Sequence, residues 1–278
     1  MTACRQPIKP SYSCCMEFVL LFGVAALVSA IGFRRFVWFI SLGYGFSVAA
    51  IGLMLTVMSL DARAPVPLAM SVLLIVYGCR LGGYLMVRER RSAAYRETMR
   101  NEIKDGSGTP LPVKAVVWLS CALLYACETS PILFRLTNHA PVDAAAVAGI
   151  IVMGTGIVLE SAADHTKNRY KQAHPHRFCD VGVFRLVRCP NYLGEVLTWT
   201  GVYVSGLTAM QGVWQWLAAT AGWLCIVWIM FGGARRLEIR QNKNYGDDPE
   251  YQEYASRTPI LIPFIPLYSV AKYRWLVG

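Results

Sequence analysis

Asn191 and Glu195 stand four residues apart in the run Arg188-Cys189-Pro190-Asn191-Tyr192-Leu193-Gly194-Glu195, at the mouth of an otherwise apolar stretch. On a helix this spacing puts both side chains on one face. An amide there offers a donor and an acceptor, and a carboxylate offers acceptors. A carboxylate at a membrane boundary is costly to desolvate and needs a partner. Such a pair suits a polar ligand better than it suits packing. Glu160 and Asp164 repeat the spacing at the end of the preceding apolar stretch. The helix macrodipole disfavours acids at that end, which points to a specific partner. Tyr77, Arg80 and Tyr84 form a third set at i, i+3 and i+7, on one helical face. An arginine within an apolar span is a functional candidate by default. The competing reading is that it snorkels to the nearby surface.

The elements that must position these residues are membrane spans. Of 278 residues 55% are hydrophobic and 16% charged, which is too apolar for an ordinary soluble domain. Seven apolar runs approach or exceed the length needed to cross a bilayer: about 17–33, 36–60, 66–87, 113–134, 142–162, 191–210 and 212–232. The first run could be a signal peptide, but Arg34-Arg35 follows it and no clear small-residue cleavage site is present. A retained span is the better reading. The expected fold is an all-α integral membrane protein with about seven transmembrane helices. It forms one membrane-embedded domain over 1–278, with an N-terminal segment 1–16, a helical bundle 17–232 and a tail 233–278.

Charge orients the bundle. With the N-terminus outside, the inside segments hold 22 of the 27 Lys and Arg. The positive-inside rule then places the C-terminus in the cytoplasm. The net charge of +10 therefore lies on one face. It fits anionic lipid, and it also fits an anionic ligand arriving from the cytoplasm. Nucleic acid is not an expected partner, because the basic residues serve membrane loops.

Other chemistries find little support. The nine cysteines contain no C-x-x-C pair and no disulfide framework. Cys4, Cys14 and Cys15 precede the first span and are candidates for acylation. His174, His176, Cys179 and Cys189 match no common metal spacing, so no metal is expected. No strand–helix alternation carries a dinucleotide fingerprint, and Gly154-Thr155-Gly156 reads as close helix packing. The basic segment 164–190 holds three of the four histidines and reads as a functional loop rather than a passive connector. In the tail, Pro259, Pro263 and Pro266 interrupt any helix, so its apolar end should lie in the interface or fold back on the bundle.

Together these residues resemble the C-terminal domain of the steroid 5-alpha-reductase family, closest to its branch of uncharacterised membrane reductases. The resemblance rests on Glu160-x-x-x-Asp164, Gly182-Val183-Phe184, the 190–195 run, and Tyr254 with Thr258-Pro259 and Leu261-Ile262-Pro263-Phe264. The third-span Tyr77-x-x-Arg80 segment adds to it. The resemblance implies an enzyme that takes NADPH from the cytoplasmic side and reduces a carbon–carbon double bond conjugated to a ketone in a steroid-like or other lipid. It implies cofactor contacts at Arg88, Arg91, Glu160, Asp164, Lys171, Arg177, Arg188, Asn191, Glu195 and Tyr254. For such a reaction the catalytic set is Tyr77, Arg80 and Tyr84: a Tyr hydroxyl beside Arg80 would donate to the developing oxyanion or protonate it, with Tyr77 the candidate and Tyr84 the reserve. The expected setting is a multi-pass protein of the endoplasmic reticulum or bacterial inner membrane, with a lipid substrate and no obligate protein partner. Two features depart from the family. Residues 36–60 contain no acid where steroid-converting members carry a Glu, and Cys189 replaces a common His. The runner-up is an S-adenosylmethionine-dependent methyltransferase of the isoprenylcysteine carboxyl methyltransferase type. Those enzymes share a basic loop followed by an Arg-His-Pro-x-Tyr-x-Gly run.

Overall fold

A computed structural model describes residues 12–91 and 108–276. Cys4, a candidate for acylation, and Gly106-Ser107 of the fourth-span linker lie outside the described residues. Among the described residues eight α-helices follow in order: α1 (Tyr12–Ser29), α2 (Leu42–Asp61), α3 (Pro65–Arg91), α4 (Leu111–Thr137), α5 (Ala144–Ala173), α6 (Pro190–Gly206), α7 (Gly212–Tyr245) and α8 (Pro249–Arg257). No strand occurs among the described residues. Six segments among them are long and apolar enough to cross a membrane, consistent with a multi-pass membrane protein. The seventh expected span, 191–210, is the 17-residue helix α6. At 1.5 Å per residue it measures about 25 Å, short of a ~30 Å hydrocarbon core.

Helices α3, α5 and α7 run on past their apolar stretches. The segment 164–173, expected in a loop, continues α5, because no proline or glycine stops the helix before Pro175. Glu160, Asp164 and Lys171 therefore ride one face of a single rigid helix.

The chain falls into two compact units. The first holds α1–α4 and residues 206–219. Its organising feature is a glycine seam between α2 and α3. A Cβ added at Gly78 would lie 2.4 Å from the Gly45 carbonyl oxygen and 2.6 Å from the Ala49 nitrogen. Only glycine lets the two backbones come this close. At one end of this unit Arg135, fully buried, donates to Asp143 at 3.0 Å and to Thr208 at 2.7 Å.

The second unit holds 144–205 and the chain from Thr220 onward. It repeats the device between α5 and α6. A Cβ at Gly156 would meet the Gly194 carbonyl oxygen at 2.5 Å, and one at Gly201 would meet the Met153 nitrogen at 2.4 Å. Gly154, which the sequence placed in the same packing motif, has nothing within 4 Å of its added Cβ. Of the pair, only Gly156 faces the seam.

Candidate functional site

In the second unit the seam brings the acids of α5 to the first turns of α6. A Cβ at Gly194 would lie 2.7 Å from the Glu160 nitrogen and 2.8 Å from the Glu160 Cβ. Gly194 thus seats Glu160 against the turn that carries Asn191 and Glu195. Glu160 and Glu195 are both buried, 4% and 7% exposed. Trp199 Nε1 donates to Glu195 Oε1 at 3.4 Å. Asn191 and Asp164 are half-buried, so both stay accessible beside the buried acids. The arrangement offers acceptors and one amide within a few turns of helix, in a setting that excludes most water.

The basic residues of this unit divide by task. The Lys171 ammonium has three donors, and three acceptors take them: the carbonyls of Pro175 and Arg177, and the Tyr245 hydroxyl. Lys171 thereby closes the turn after α5. Arg188, 1% exposed, pairs with Glu238 at 2.8 Å and also donates to the Tyr251 hydroxyl and the Tyr268 carbonyl. Glu238 in turn accepts from the Val270 and Ala271 nitrogens. Arg188 thus clamps the tail to α7. Arg177 keeps 40% of its side chain exposed, between Asp180 at 3.1 Å and Glu250 at 2.5 Å. Arg177 thus keeps surface to offer a ligand, whereas Arg188 is closed off from it.

Tyr254 donates to the Phe184 carbonyl at 2.7 Å and stacks on Phe178 at 5.4 Å. Burial pushes its phenol well above the ordinary tyrosine range. Gly182, at φ +59, makes the turn that sends Phe184 into a small core with Ala163 and Cys179. Cys189 is fully buried among Val187, Leu193, Ala234 and Ile260. Burial pushes its thiol up to about 12, so it stays protonated and acts as a packing group. Among the described residues no cluster of His, Cys, Asp and Glu could hold a metal ion.

In the first unit Tyr77 is fully buried, and its hydroxyl lies 3.2 Å from that of Tyr44 on α2. Tyr44 also packs its ring 5.0 Å from that of Tyr125, whose hydroxyl donates to the Phe39 carbonyl at 2.7 Å. Tyr84 lies between two guanidinium groups, with Arg80 at 5.9 Å and Arg88 at 5.7 Å from its ring centroid. Arg91 is exposed at the end of α3. Glu89, beside it, pairs with Arg35 and accepts from Trp38 Nε1 at 3.0 Å. The buried acid Glu128 sits on α4 at 2% exposure.

Sequence reasoning missed Tyr44, Glu238, Tyr245 and Tyr251. Each lies far along the chain from the group it holds. Only Tyr44, in an acid-free span, carried a signal: a tyrosine in the middle of an apolar run needs a hydrogen-bond partner when buried.

A family of proteins of unknown function, DUF1295, matches residues 27–258. The chain belongs to the DUF1295 family. The DUF1295 match takes in every candidate residue from Tyr77 to Tyr254. No curated protein and no solved structure matches the chain.

Proposed function

We propose that this DUF1295 protein is a membrane-embedded, NADPH-dependent reductase of a conjugated carbon–carbon double bond in a steroid-like or other lipid. The reading is supported above all by the junction of α5 and α6, where Gly194 seats Glu160 against the turn of Asn191 and Glu195. The resemblance to the steroid 5-alpha-reductase family, carried by residues 77–91 and 155–266, overlaps the DUF1295 match over 77–91 and 155–258.

The donor set suits a nicotinamide. Asn191 offers a donor and an acceptor to a carboxamide, and the buried Glu195 and Glu160 offer acceptors that bulk water does not compete for. Arg177 is the cation for a phosphate, bound in a fork that an ammonium cannot form. Lys171 and Arg188 serve this site indirectly, by fixing the loop and the tail. When bound, NADPH supplies the hydride. The chain supplies orientation, exclusion of water and a proton. The proton comes from Tyr77, whose hydroxyl is held by Tyr44. Tyr44 stands in the span that lacks the family's acid, so a neutral phenol pair replaces a charged group there. We orient the N-terminus outside and the C-terminus in the cytoplasm, because that arrangement puts most Lys and Arg inside.

Titration of the purified protein with NADPH and, separately, with S-adenosylmethionine tests the reading. Quenching of tryptophan fluorescence by NADPH is the expected result. Saturable binding of S-adenosylmethionine with no NADPH response would replace the reductase with the methyltransferase.

A further inference from the structure

The C-terminal segment 270–276 runs back along α7 toward the membrane. Val270 and Ala271 donate to Glu238, Arg235 Nε donates to the Ala271 carbonyl at 3.2 Å, and Trp275 packs on Trp228 at 4.9 Å. From Glu238 to Trp228 is ten residues of helix, or about 15 Å. Trp228 lies within the apolar part of α7, two turns below the Arg235-Arg236 pair that ends it. The segment therefore descends about 10 Å past those arginines, to the depth of acyl chains rather than of bulk water.

Its side chains sort as an interfacial element requires. Leu276 is 4% exposed and packs into the core, whereas Trp275 is 58% exposed and Trp228 47%. Lys272 and Arg274 are exposed, and Lys272 lies 5.1 Å from the Tyr273 ring centroid. Tryptophan and tyrosine favour the headgroup boundary, and long basic side chains reach past it to headgroups.

We propose that residues 270–276 form a strap seated in the bilayer interface, with Trp275 among acyl chains and Lys272 and Arg274 on anionic headgroups. Glu238 holds both this strap and Arg188, so lipid contact is tied to the loop that enters α6. The strap stands apart from the reductase reading.

Full-length protein in nanodiscs provides the test. The emission difference between wild type and Trp275→Phe reports the Trp275–Trp228 pair. With acyl-brominated phosphatidylcholine, that difference signal is expected to be quenched, and aqueous iodide is expected to leave it intact. Quenching by iodide but not by the brominated lipid leaves the pair open to water, quenching by neither leaves it covered by protein, and either result overturns the strap. A second measurement compares trypsin cleavage after Lys272 and Arg274 with cleavage after the exposed Arg257, in phosphatidylcholine with and without phosphatidylglycerol. Each basic residue near an anionic surface contributes about fivefold, so cleavage relative to Arg257 should slow roughly 30-fold with phosphatidylglycerol. Equal relative rates overturn the assignment of Lys272 and Arg274 to anionic headgroups.

Discussion

The α2–α3 seam and the α5–α6 seam use the same packing device and deliver different polar groups. Glycines at Gly45 and Gly78, and at Gly156, Gly194 and Gly201, bring the backbones into contact in each. The first seam buries Tyr44 and Tyr77, whose hydroxyls lie 3.2 Å apart, so that one donates to the other. The second buries Glu160 and Glu195, which only accept when ionised. Two nearby buried acids must draw donors or protons from elsewhere, as Glu195 does from Trp199. Ionised acids bring acceptors and negative charge to the second seam, whereas the phenols of the first are neutral groups that can also donate.

The comparison breaks most sharply on Tyr77→Phe. On the reductase reading it removes a proton donor, and turnover in NADPH-consumption assays should fall about 100- to 1,000-fold with cofactor binding unchanged. Unchanged turnover would reduce the first seam to packing. Next in size are Gly78→Val and Gly194→Val. Each drives a side chain into backbone that cannot step aside, and each should cost about 3 kcal/mol of stability, read from unfolding in detergent. Only Gly194→Val should also weaken NADPH binding; equal losses of affinity in the two would erase the division between the seams. Asn191→Ala should lose one hydrogen bond, about 1 kcal/mol or fivefold in NADPH affinity by fluorescence titration. An unaltered affinity would move the amide site off α6. The smallest effect is a control within one motif. Gly154→Ala meets nothing and should leave stability unchanged or raise it by up to ~1 kcal/mol, whereas Gly156→Ala meets the Gly194 carbonyl and should destabilise. Similar melting temperatures for the two variants would show that the seam is looser than 2.5 Å implies.

Much of this was legible in order along the chain. Apolar runs announced the helices, because a span must satisfy its backbone internally and cover itself with apolar side chains. The pairs Glu160/Asp164 and Asn191/Glu195 were legible because four-residue spacing on a helix is a statement about one face. The extent of α5 was harder to see. Polarity beyond Asp164 suggested a loop, yet polar residues are good helix formers and the helix runs to Ala173. The role of the basic residues was harder still. Lys171, Arg177 and Arg188 look alike in sequence, and burial and partners separate them.

The sequence alone determined the all-helical membrane class, six of the seven expected spans and the local faces that carry acids, tyrosines and arginines. These follow from hydropathy and helical periodicity, which are short-range properties. Only the tertiary structure decided which groups meet: Tyr44 with Tyr77, Glu160 with the turn of Gly194, and Arg188 with Glu238 and the tail. Such meetings depend on how closely two helix backbones approach, and on distant segments of chain arriving together, neither of which leaves a periodic mark on the sequence.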